Sequence, residues 1–326
     1  LLGTVGATLI VIGVGILYLM TGTLNMADLG QRLPQLGGSR PVLAALAFLT
    51  VGLFLKAALF PLHAWLPNAY AYAPSAVAAL LAGTATKVSL YAVLRFYFSV
   101  FGSHTVVERL PLDEMLLALA MAAMVVPSAV AVYQRDFKRM LAYSSVGQIG
   151  YIMLGVAIAN PTGVAAGIVH LFNHGITKAA LFVFAGAIAM RVGTTDLERL
   201  AGLAKRMPLT CAGIVVGGLS LVGVPAFAGF VTKWHLVVGA LEAELVWVAF
   251  MPVVSSLIAL AYVWRFVEIA YLREPHADLA RVREAPAGIL LPGLALCVLI
   301  VLAGTWSGPF IDGALAAAKA LLGGAR

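Results

Sequence analysis

The sequence predicts an all-α polytopic membrane protein with about nine transmembrane helices. Of its 326 residues, 62% are hydrophobic and 11% are charged, and the mean hydropathy is +1.00. Soluble domains with a single core do not have this composition. Apolar stretches of about 20 residues, long enough to cross a bilayer as a helix, recur along the whole chain with short connections. Because these stretches are long and uninterrupted, they indicate helices and not the strands of a barrel.

The predicted spans follow one another from end to end. They are residues 1–20, 41–69, 75–101, 113–133, 138–159, 163–190, 208–239, 245–272 and 285–306, followed by a short amphipathic tail after Pro309. The first span has neither a basic leading region nor a small-residue cleavage site, so it is typical of a mature span and not of a signal peptide. Because the chain does not start with Met, we expect it to begin partway through a longer protein.

The loop charges predict how the chain is oriented. Most loop Lys and Arg residues lie in three loops, 134–139, 191–207 and 273–284. The alternate loops hold fewer, and two of them carry acidic residues instead: Glu108 with Asp113, and Glu242 with Glu244. The positive-inside rule therefore places the three basic loops and residue 1 on the cytoplasmic side and the C-terminus on the opposite side. We expect a multi-pass protein of the cell (inner) membrane. The net charge of +7 is spread over short loops, so we expect no nucleic-acid surface.

Two local patterns near these loops predict further contacts. The segment TTDLERLAGLAKRMP begins with Thr195 and Glu198 in capping-box spacing, and its leucines recur on one helical face. It predicts a surface helix along the bundle. At the end of span 245–272, Arg265 and Glu268 are three residues apart, which predicts an ion pair within the helix.

Several ionisable residues lie inside the predicted spans: Lys56, Lys87, Lys178, Lys233, His170 and His174. An unpaired lysine at mid-bilayer costs roughly 3 kcal/mol on insertion scales, and reaching the interface, pairing or losing its proton lowers that cost. A buried lysine can therefore exchange a proton near neutral pH. His170, His174 and Lys178 are spaced four residues apart and share one helix face. The group predicts a proton relay; the plainer alternative is that each lysine binds a carbonyl or pairs with a neighbouring helix.

Two spans are interrupted beside a lysine. Pro61 follows Lys56 in FLKAALFPLHAWLPNAYAYAP, and Gly223 and Pro225 precede Lys233 in LSLVGVPAFAGFVTKWHLV. An interior proline leaves carbonyls unpaired, and unpaired backbone in a membrane is tolerated only where protein or water satisfies it. We expect broken helices whose lysines lie beside the freed carbonyls, although a plain kink is the alternative for either one. Pro225→Ala is then expected to strengthen the helix by about 3 kcal/mol and to slow transport.

The cysteine content and the absence of nucleotide-binding motifs limit the chemistry. Cys211 and Cys297 lie inside apolar runs without paired spacing, and we interpret them as small core residues. The sequence also lacks a dinucleotide fingerprint. We therefore expect neither a cofactor nor a metal in this chain, and no redox centre.

Four ordered motifs carry a resemblance to a known family. The segment from Phe54 to Phe96, KRMLAYSSVGQIGYIMLG, HLFNHGITKAALF and GVPAFAGFVTKW resemble the antiporter-like subunits of respiratory complex I, the Mrp cation/proton antiporters and energy-converting hydrogenases. The resemblance extends from the first span to about residue 272, and within the family it is greatest to the Mrp D-subunit. It implies two inverted five-helix units, each with a broken fourth helix. Residues 1–102 would be the last three helices of the first unit, 113–272 the second unit, and 273–326 a loop, a final helix and a tail.

The resemblance also implies roles for single residues. Lys56 matches the broken-helix lysine of the first unit, and Lys87 matches the lysine on the fifth helix of that unit. Lys233 matches the broken-helix lysine of the second unit, while His170, His174 and Lys178 lie on the connecting helix. The family pattern has a glutamate facing the first lysine, on a helix that this chain does not contain. We therefore expect an N-terminally truncated member of the family.

The implied function is a proton-translocating subunit of a multisubunit Na⁺/proton antiporter, with other hydrophobic subunits as partners. Sodium prefers oxygen ligands and fits a cationic line poorly, so other subunits would carry it if it is exchanged. One alternative is the proton-pumping membrane arm of complex I (NADH-quinone oxidoreductase) or of an energy-converting hydrogenase. There the chain would be part of a translocase without a redox centre of its own. A solute carrier with broken helices is the third interpretation, and it would need a polar substrate pocket.

Overall fold

A computed structural model describes residues 1–36, 38–102 and 112–323 of the chain. Within these ranges the backbone forms fourteen α-helices, α1 to α14, joined by turns and short 3₁₀ segments. The predicted all-α membrane fold is therefore confirmed. Glu108, one of the acidic residues of the predicted outer loops, lies outside the described residues, as does the end of the predicted tail at 324–326.

The long helices follow the predicted spans to within a few residues, and three predicted spans, 41–69, 208–239 and 245–272, are each divided into a pair of helices. One short helix, Met26–Arg32, lies outside the predicted spans and the predicted tail. The first five are α1 (Leu2–Thr21), α2 (Met26–Arg32), α3 (Arg40–Ala57), α4 (Trp65–Tyr72) and α5 (Ser75–Leu94), which a π-helical segment extends to Val100. The next five are α6 (Leu112–Val132), α7 (Phe137–Ile158), α8 (Pro161–Val192), α9 (Pro208–Val222) and α10 (Ala228–Glu242). The last four are α11 (Val246–Ala249), α12 (Met251–Val267), α13 (Ala287–Thr305) and α14 (Gly308–Gly323). Eight helices of the described chain are long and apolar enough to cross a membrane, or nine if the 3₁₀ segment Leu197–Lys205 and α9 are counted together as one bent span.

Polar side chains fix the starts of the two central helices. The Asp136 side chain accepts a hydrogen bond from the Arg139 N–H at the start of α7, and Asn160 accepts one from the Gly163 N–H at the start of α8. Side-chain oxygens at this position satisfy amides that have no partner within the helix. Lys138, which the sequence placed in a loop, is buried in the first turn of α7 and donates to the Ser75 hydroxyl at 3.0 Å.

The three basic loops lie together at one end of the bundle, which we call the basic end. The Leu197 N–H donates to the Arg135 carbonyl at 2.9 Å and so joins the first loop to the second. Arg273 and Glu198 form an ion pair at 2.7 Å that joins the second loop to the third. This arrangement agrees with the alternation predicted from the loop charges.

The capping box and surface helix predicted for the second loop are wrong. Its residues form two 3₁₀ turns, Leu197–Leu200 and Leu203–Lys205, separated by Gly202 at φ +68°. Asp196 takes the capping position, since its side chain accepts from the Glu198 N–H at 3.1 Å. The Thr195 hydroxyl donates to Asp136 instead. The leucines of this segment are fully buried, because the chain turns back onto the bundle here.

The predicted ion pair between Arg265 and Glu268 is also wrong. The Arg265 guanidinium donates to the carbonyls of Val132 and Gln134, at 2.6 and 2.7 Å. Val132 is the last residue of α6, so its carbonyl has no partner within the helix, and Gln134 lies in the turn that follows; one guanidinium satisfies both acceptors. Glu268 accepts from Arg273 at 3.1 Å instead.

Buried apolar side chains form two clusters, one toward each end of the bundle. Ala82 of α5 and Ala180 of α8 belong to one cluster, and Leu90 of α5 and Val169 of α8 belong to the other. The polar side chains that lie between the clusters, or beside them at the gap between α9 and α10, are Thr86, Lys87, Ser144, Ser145, Gln148, His170, Asn173, His174, Thr177, Lys178, Ser220, Thr232, Lys233 and Ser255. We call this set the polar layer. It crosses the middle of the bundle between two apolar cores.

Candidate proton path

The two broken helices share one backbone design, which starts with the same cap. At the first break, Ala58 has φ +57°, and the N–H groups of Ala58 and Leu59 donate back to Leu55 and Phe54 at 3.2 and 3.0 Å. This pair of bonds around a left-handed residue is the Schellman pattern of helix ends.

The second break repeats the cap residue for residue. Gly223 has φ +87°, and the N–H groups of Gly223 and Val224 donate to Ser220 and Leu219 at 3.1 and 3.0 Å. A turn then follows at once in both places. The Leu62 N–H donates to Leu59 at 2.7 Å in the first break. The Phe227 N–H donates to Val224 at 3.2 Å in the second.

Both prolines lie in these turns and not inside a helix. Pro61 is the third residue of the turn Leu59–Leu62, and Pro225 is the second residue of the turn Val224–Phe227. Gly223 and Ala226 flank Pro225 with φ values of +87° and +74°, so an N–H at position 225 cannot rejoin α9 to α10. The expected gain of about 3 kcal/mol for Pro225→Ala is therefore wrong, because that cost applies to helix interiors.

Lys233 satisfies the end of α9 at the second break. Its Nζ donates to the carbonyls of Leu221 and Val222 at 2.7 and 2.9 Å, and to the Ser256 hydroxyl at 2.8 Å. A lysine ammonium has three N–H donors, and each has an acceptor here. The prediction that Lys233 lies beside freed carbonyls is confirmed.

Lys56 does not play this part at the first break. Its side chain is exposed and has no hydrogen-bond or ion-pair partner among the described residues, so the expectation of a buried Lys56 is wrong. The indole N–H of Trp65 donates to the Leu55 carbonyl at 2.8 Å in its place. Helical phase places Lys56 on the α1 side: it follows Gly52 by one turn, and Gly52 packs against Gly6 of α1, a helix at the edge of the described bundle.

The two histidines of α8 stack on one another, as their spacing predicts. The ring centroids of His170 and His174 are 5.8 Å apart, with an interplanar angle of 12°. His170 Nδ1 lies 2.8 Å from the Thr232 hydroxyl, and Nε2 lies 3.1 Å from the Gln148 side-chain oxygen. Both ring nitrogens of His174 are buried with no hydrogen-bond partner among the described residues. Such nitrogens are the groups that internal water would satisfy.

The other two lysines of the polar layer bind backbone carbonyls. Lys178 is fully buried and donates to the Leu141 carbonyl at 2.9 Å and to the Ser144 hydroxyl at 2.5 Å. Lys87 donates to the Ala82 carbonyl of its own helix. A close crossing of α5 and α8 at Gly83 and Gly175 brings Lys87 to the histidine helix: a Cβ on Gly175 would lie 3.0 Å from the Gly83 carbonyl oxygen.

Tyr151 was not predicted as a site residue, yet it joins Lys233 to His170. The Lys233 ammonium lies 4.7 Å above the centroid of the Tyr151 ring, which is a cation–π contact. The His170 ring lies 5.5 Å from the same ring, and the Tyr151 hydroxyl donates to the Pro252 carbonyl at 3.3 Å. Contacts between neighbouring rings and the ammonium therefore run from Lys233 through Tyr151 and His170 to His174.

The residues that sequence reasoning missed had a detectable pattern. Ser144, Gln148 and Tyr151 are spaced by four and three residues, so they share one face of α7. Every residue of α7 except Arg139 and Tyr143 is buried, and a buried polar stripe on such a helix needs partners. Thr232 and Ser256 gave no comparable signal, since a lone hydroxyl in a span is common.

The polar layer can donate and accept protons but offers little to a cation. Among the described residues, no carboxylate belongs to the buried polar set, and no three His, Cys, Asp or Glu side chains are grouped as metal ligands. Both cysteines are buried and free, and Cys297 Sγ lies 3.6 Å from the Gly213 carbonyl. Lysines, imidazoles and hydroxyls suit proton exchange, whereas hard cations prefer clustered oxygen ligands.

Fold and site together define a multi-pass helical membrane protein with a buried layer of ionisable side chains and two broken helices. The chain belongs to the family described as NADH:quinone oxidoreductase/Mrp antiporter, transmembrane, whose profile matches residues 1–259. The predicted resemblance to this family is confirmed.

Three similar proteins show how the chain relates to the family. It is 42% identical over 325 residues to NADH-quinone oxidoreductase subunit N of Desulforudis audaxviator, covering 96% of this chain and 64% of the relative. It is 33% identical over 320 residues to the Na⁺/H⁺ antiporter D-subunit of Alkalihalophilus pseudofirmus, covering 96% and 63%. The Mrp complex of Dietzia sp. DQ12-45-1b contains a chain with TM-score 0.89 and 30% identity, covering 98% of this chain and 66% of that one. The chain thus spans just under two thirds of the length of these relatives.

Proposed function

We propose that this chain is part of a proton-translocating subunit in a multisubunit Na⁺/proton antiporter of the cell (inner) membrane. The observation that carries the proposal is the polar layer, which places lysines, histidines and hydroxyls between two apolar cores. Ionisable groups in a membrane interior are costly and mark ion or proton pathways. The similarity to the antiporter D-subunit of Alkalihalophilus pseudofirmus supports this choice.

In the proposed mechanism, protons move along the polar layer through groups that alternate between charged and neutral forms. Lys87 and Lys178 exchange protons with the stacked pair His174 and His170, with water next to the unpaired nitrogens of His174. Tyr151 then holds Lys233 beside His170. Because the groups are close together, the charge on one changes the proton affinity of the next, which couples the steps. Lys56 keeps its proposed role as the lysine of the first unit only if further residues of the complex cover its exposed face.

We also propose the division into inverted units. Residues 1–102 would form the last helices of the first unit, 113–272 the second unit, and 273–326 the loop, final helix and tail. The matching caps and turns at Ala58 and Gly223 support this division, because each lies where the fourth helix of a unit would break. The helical tail α14 packs on α8 and so belongs to the bundle.

The second candidate is a proton-pumping membrane subunit of complex I. The 42% identity to NADH-quinone oxidoreductase subunit N of Desulforudis audaxviator favours it. In that case the chain would be part of a translocase whose redox chemistry takes place in other subunits. In both candidates the partners are other hydrophobic subunits, and any sodium would be carried by them.

The test of the proposed function uses the whole complex in proteoliposomes. Lys87→Ala removes a buried titratable group, and we expect proton transport to fall by roughly a hundredfold in an assembled complex. Lys205→Ala is the matched control, because Lys205 is exposed at the basic end. Unchanged transport in assembled Lys87→Ala vesicles would contradict the relay. Identification of the co-purifying subunits, either antiporter subunits or a peripheral flavin and iron–sulfur arm, separates the two candidates.

A further inference from the structure

A polar groove of 550 Å³ opens at the basic end, away from the polar layer. It is formed by the end of α4, the turn between α6 and α7, and the first turn of α7. The residues that line it are Ala71, Tyr72, Tyr133, Gln134, Arg135, Asp136 and Arg139. Its charged side chains are not part of the proton path, and the contacts within the bundle leave one of them, Arg135, without a partner among the described residues.

The groove carries an excess of positive charge. Arg139 is held in place, since its Nη2 lies 2.8 Å from the Tyr72 hydroxyl and its guanidinium lies 5.4 Å above the Tyr72 ring. Arg135 is exposed and its side chain has no hydrogen-bond or ion-pair partner among the described residues. A third guanidinium, that of Arg265, binds the carbonyls of Val132 and Gln134 in the same turn but does not line the groove.

The single carboxylate of the groove is already engaged. Asp136 accepts from the Arg139 N–H at 2.8 Å and from the Thr195 hydroxyl. Neither bond is an ion pair with Arg135, and two guanidiniums against one carboxylate leave the groove lining with one net positive charge. The site therefore offers planar, forked donors to an anion, which is the chemistry that binds phosphate groups.

The groove lies at the level where helices leave the apolar part of the bundle. α6 ends at Val132 and α7 begins at Phe137, so the turn between them is at the membrane boundary of two spans. Tyr72 and Tyr133 at its rim are 77% and 82% exposed, and tyrosines are typical of the headgroup region. Two turns before Tyr133 on the same face of α6, Val126 is also exposed and offers an apolar surface to an acyl chain.

We propose that this groove binds the phosphate of an anionic phospholipid, with Arg135 and Arg139 as the main ligands. Arg135 binds the phosphate directly, Arg139 approaches it from the Tyr72 ring, and the Tyr133 hydroxyl lies at the headgroup level. The acyl chains then follow the exposed face of α6. This inference does not depend on which ion the complex transports.

The test compares two charge-matched double variants of the whole complex in nanodiscs of phosphatidylcholine with added phosphatidylglycerol. Arg135→Gln/Arg139→Gln removes the groove ligands, and Arg199→Gln/Arg206→Gln removes two exposed charges from another loop at the same end. Native mass spectrometry counts the phosphatidylglycerol that stays bound. We expect the first variant to retain roughly tenfold less than the wild type, and the second to retain as much as the wild type.

Three results would overturn the proposal. Full retention in the groove variant would show that the arginines are not the ligands, and equal loss in both variants would show a general surface attraction. Displacement of phosphatidylglycerol by millimolar inorganic phosphate would show a site for free anions and not for lipid. A photo-crosslinker at Tyr133 adds an independent arm: crosslinks to phospholipid support the proposal, and crosslinks to another subunit contradict it.

Discussion

The two broken helices end in the same cap but bind different donors. Each has a left-handed cap, at Ala58 or Gly223, followed by a tight turn that contains a proline. At the first break a neutral indole, Trp65, donates to the carbonyl of Leu55. At the second break an ammonium, Lys233, donates to the carbonyls of Leu221 and Val222. An indole N–H does not ionise near neutral pH, whereas a buried lysine can release and rebind its proton there.

The comparison teaches that, within the described residues, a helix break does not by itself bring a lysine to the carbonyls at the helix end. The break supplies carbonyls at the helix end that can accept from a side chain. The side chain that reaches them decides whether a charge lies there. The residues packed around each break decide which side chain reaches its carbonyls. Lys233 lies in the polar layer beside Tyr151 and Ser256, whereas Lys56 lies on the outer face toward α1.

Apart from Lys233 itself, the largest effect that sharpens this comparison is expected at Tyr151, which has no counterpart at the first break. Tyr151→Leu removes the ring below Lys233, and a desolvated cation–π contact contributes about 2 kcal/mol. We expect proton transport by the assembled complex to fall by roughly tenfold or more and its pH profile to change. Tyr151→Phe keeps the ring and should restore both. If the Phe variant is as impaired as the Leu variant, the hydroxyl bonded to Pro252 and not the ring is what matters.

The next effect comes from exchanging the cap residues of the two breaks. Gly223→Ala places a side chain at φ +87°, with its Cβ 2.7 Å from Cδ of Lys233. We expect a loss of about 2 kcal/mol in stability, measured by thermal unfolding, and slower transport because Lys233 must move. Ala58→Gly is the reverse change at φ +57° and should stabilise the first break by about 1 kcal/mol without changing transport. Equal responses at the two positions would contradict the assignment of the second break, and not the first, to the path.

A smaller effect is expected at Trp65. Trp65→Phe removes one neutral hydrogen bond to Leu55, whose carbonyl still accepts from Ala58. The expected cost is about 1 kcal/mol of stability, with transport at the wild-type rate. Thermal unfolding and proton transport of the same preparation check both parts. A strong loss of transport at unchanged stability would contradict this prediction and show that the first break is part of the proton path.

The smallest effect is expected at Pro225. Because this proline lies in the turn and not in a helix, Pro225→Ala should cost about 0.5–1 kcal/mol through the freer unfolded chain. Transport should stay close to the wild-type rate, provided that Gly223 and Ala226 hold the break open. A variant that becomes more stable by several kcal/mol would instead show that α9 and α10 have joined.

Much of the fold follows from the sequence, because hydropathy and loop charge act over whole spans. The span limits, both breaks and the shared face of His170 and His174 were predictable from composition and spacing. The burial of Lys56 was not, since helical phase against α1 depends on tertiary packing. The donors at each break were not predictable either: Trp65 is ten residues from its acceptor Leu55, and no local pattern marks that pair. Similarly, Arg265 binds the carbonyls at the end of α6 and not Glu268, a choice between distant partners.

The most direct test of the central claim is proton transport by the assembled complex with Lys233→Arg. Arginine keeps the charge and has enough N–H donors for Leu221, Val222 and Ser256, but it does not release its proton. If Lys233 carries protons, the variant should assemble normally and transport should fall by roughly a hundredfold. If Lys233 only caps the broken helix, as Trp65 does at the first break, Lys233→Arg should transport at close to the wild-type rate, and that result would contradict the account.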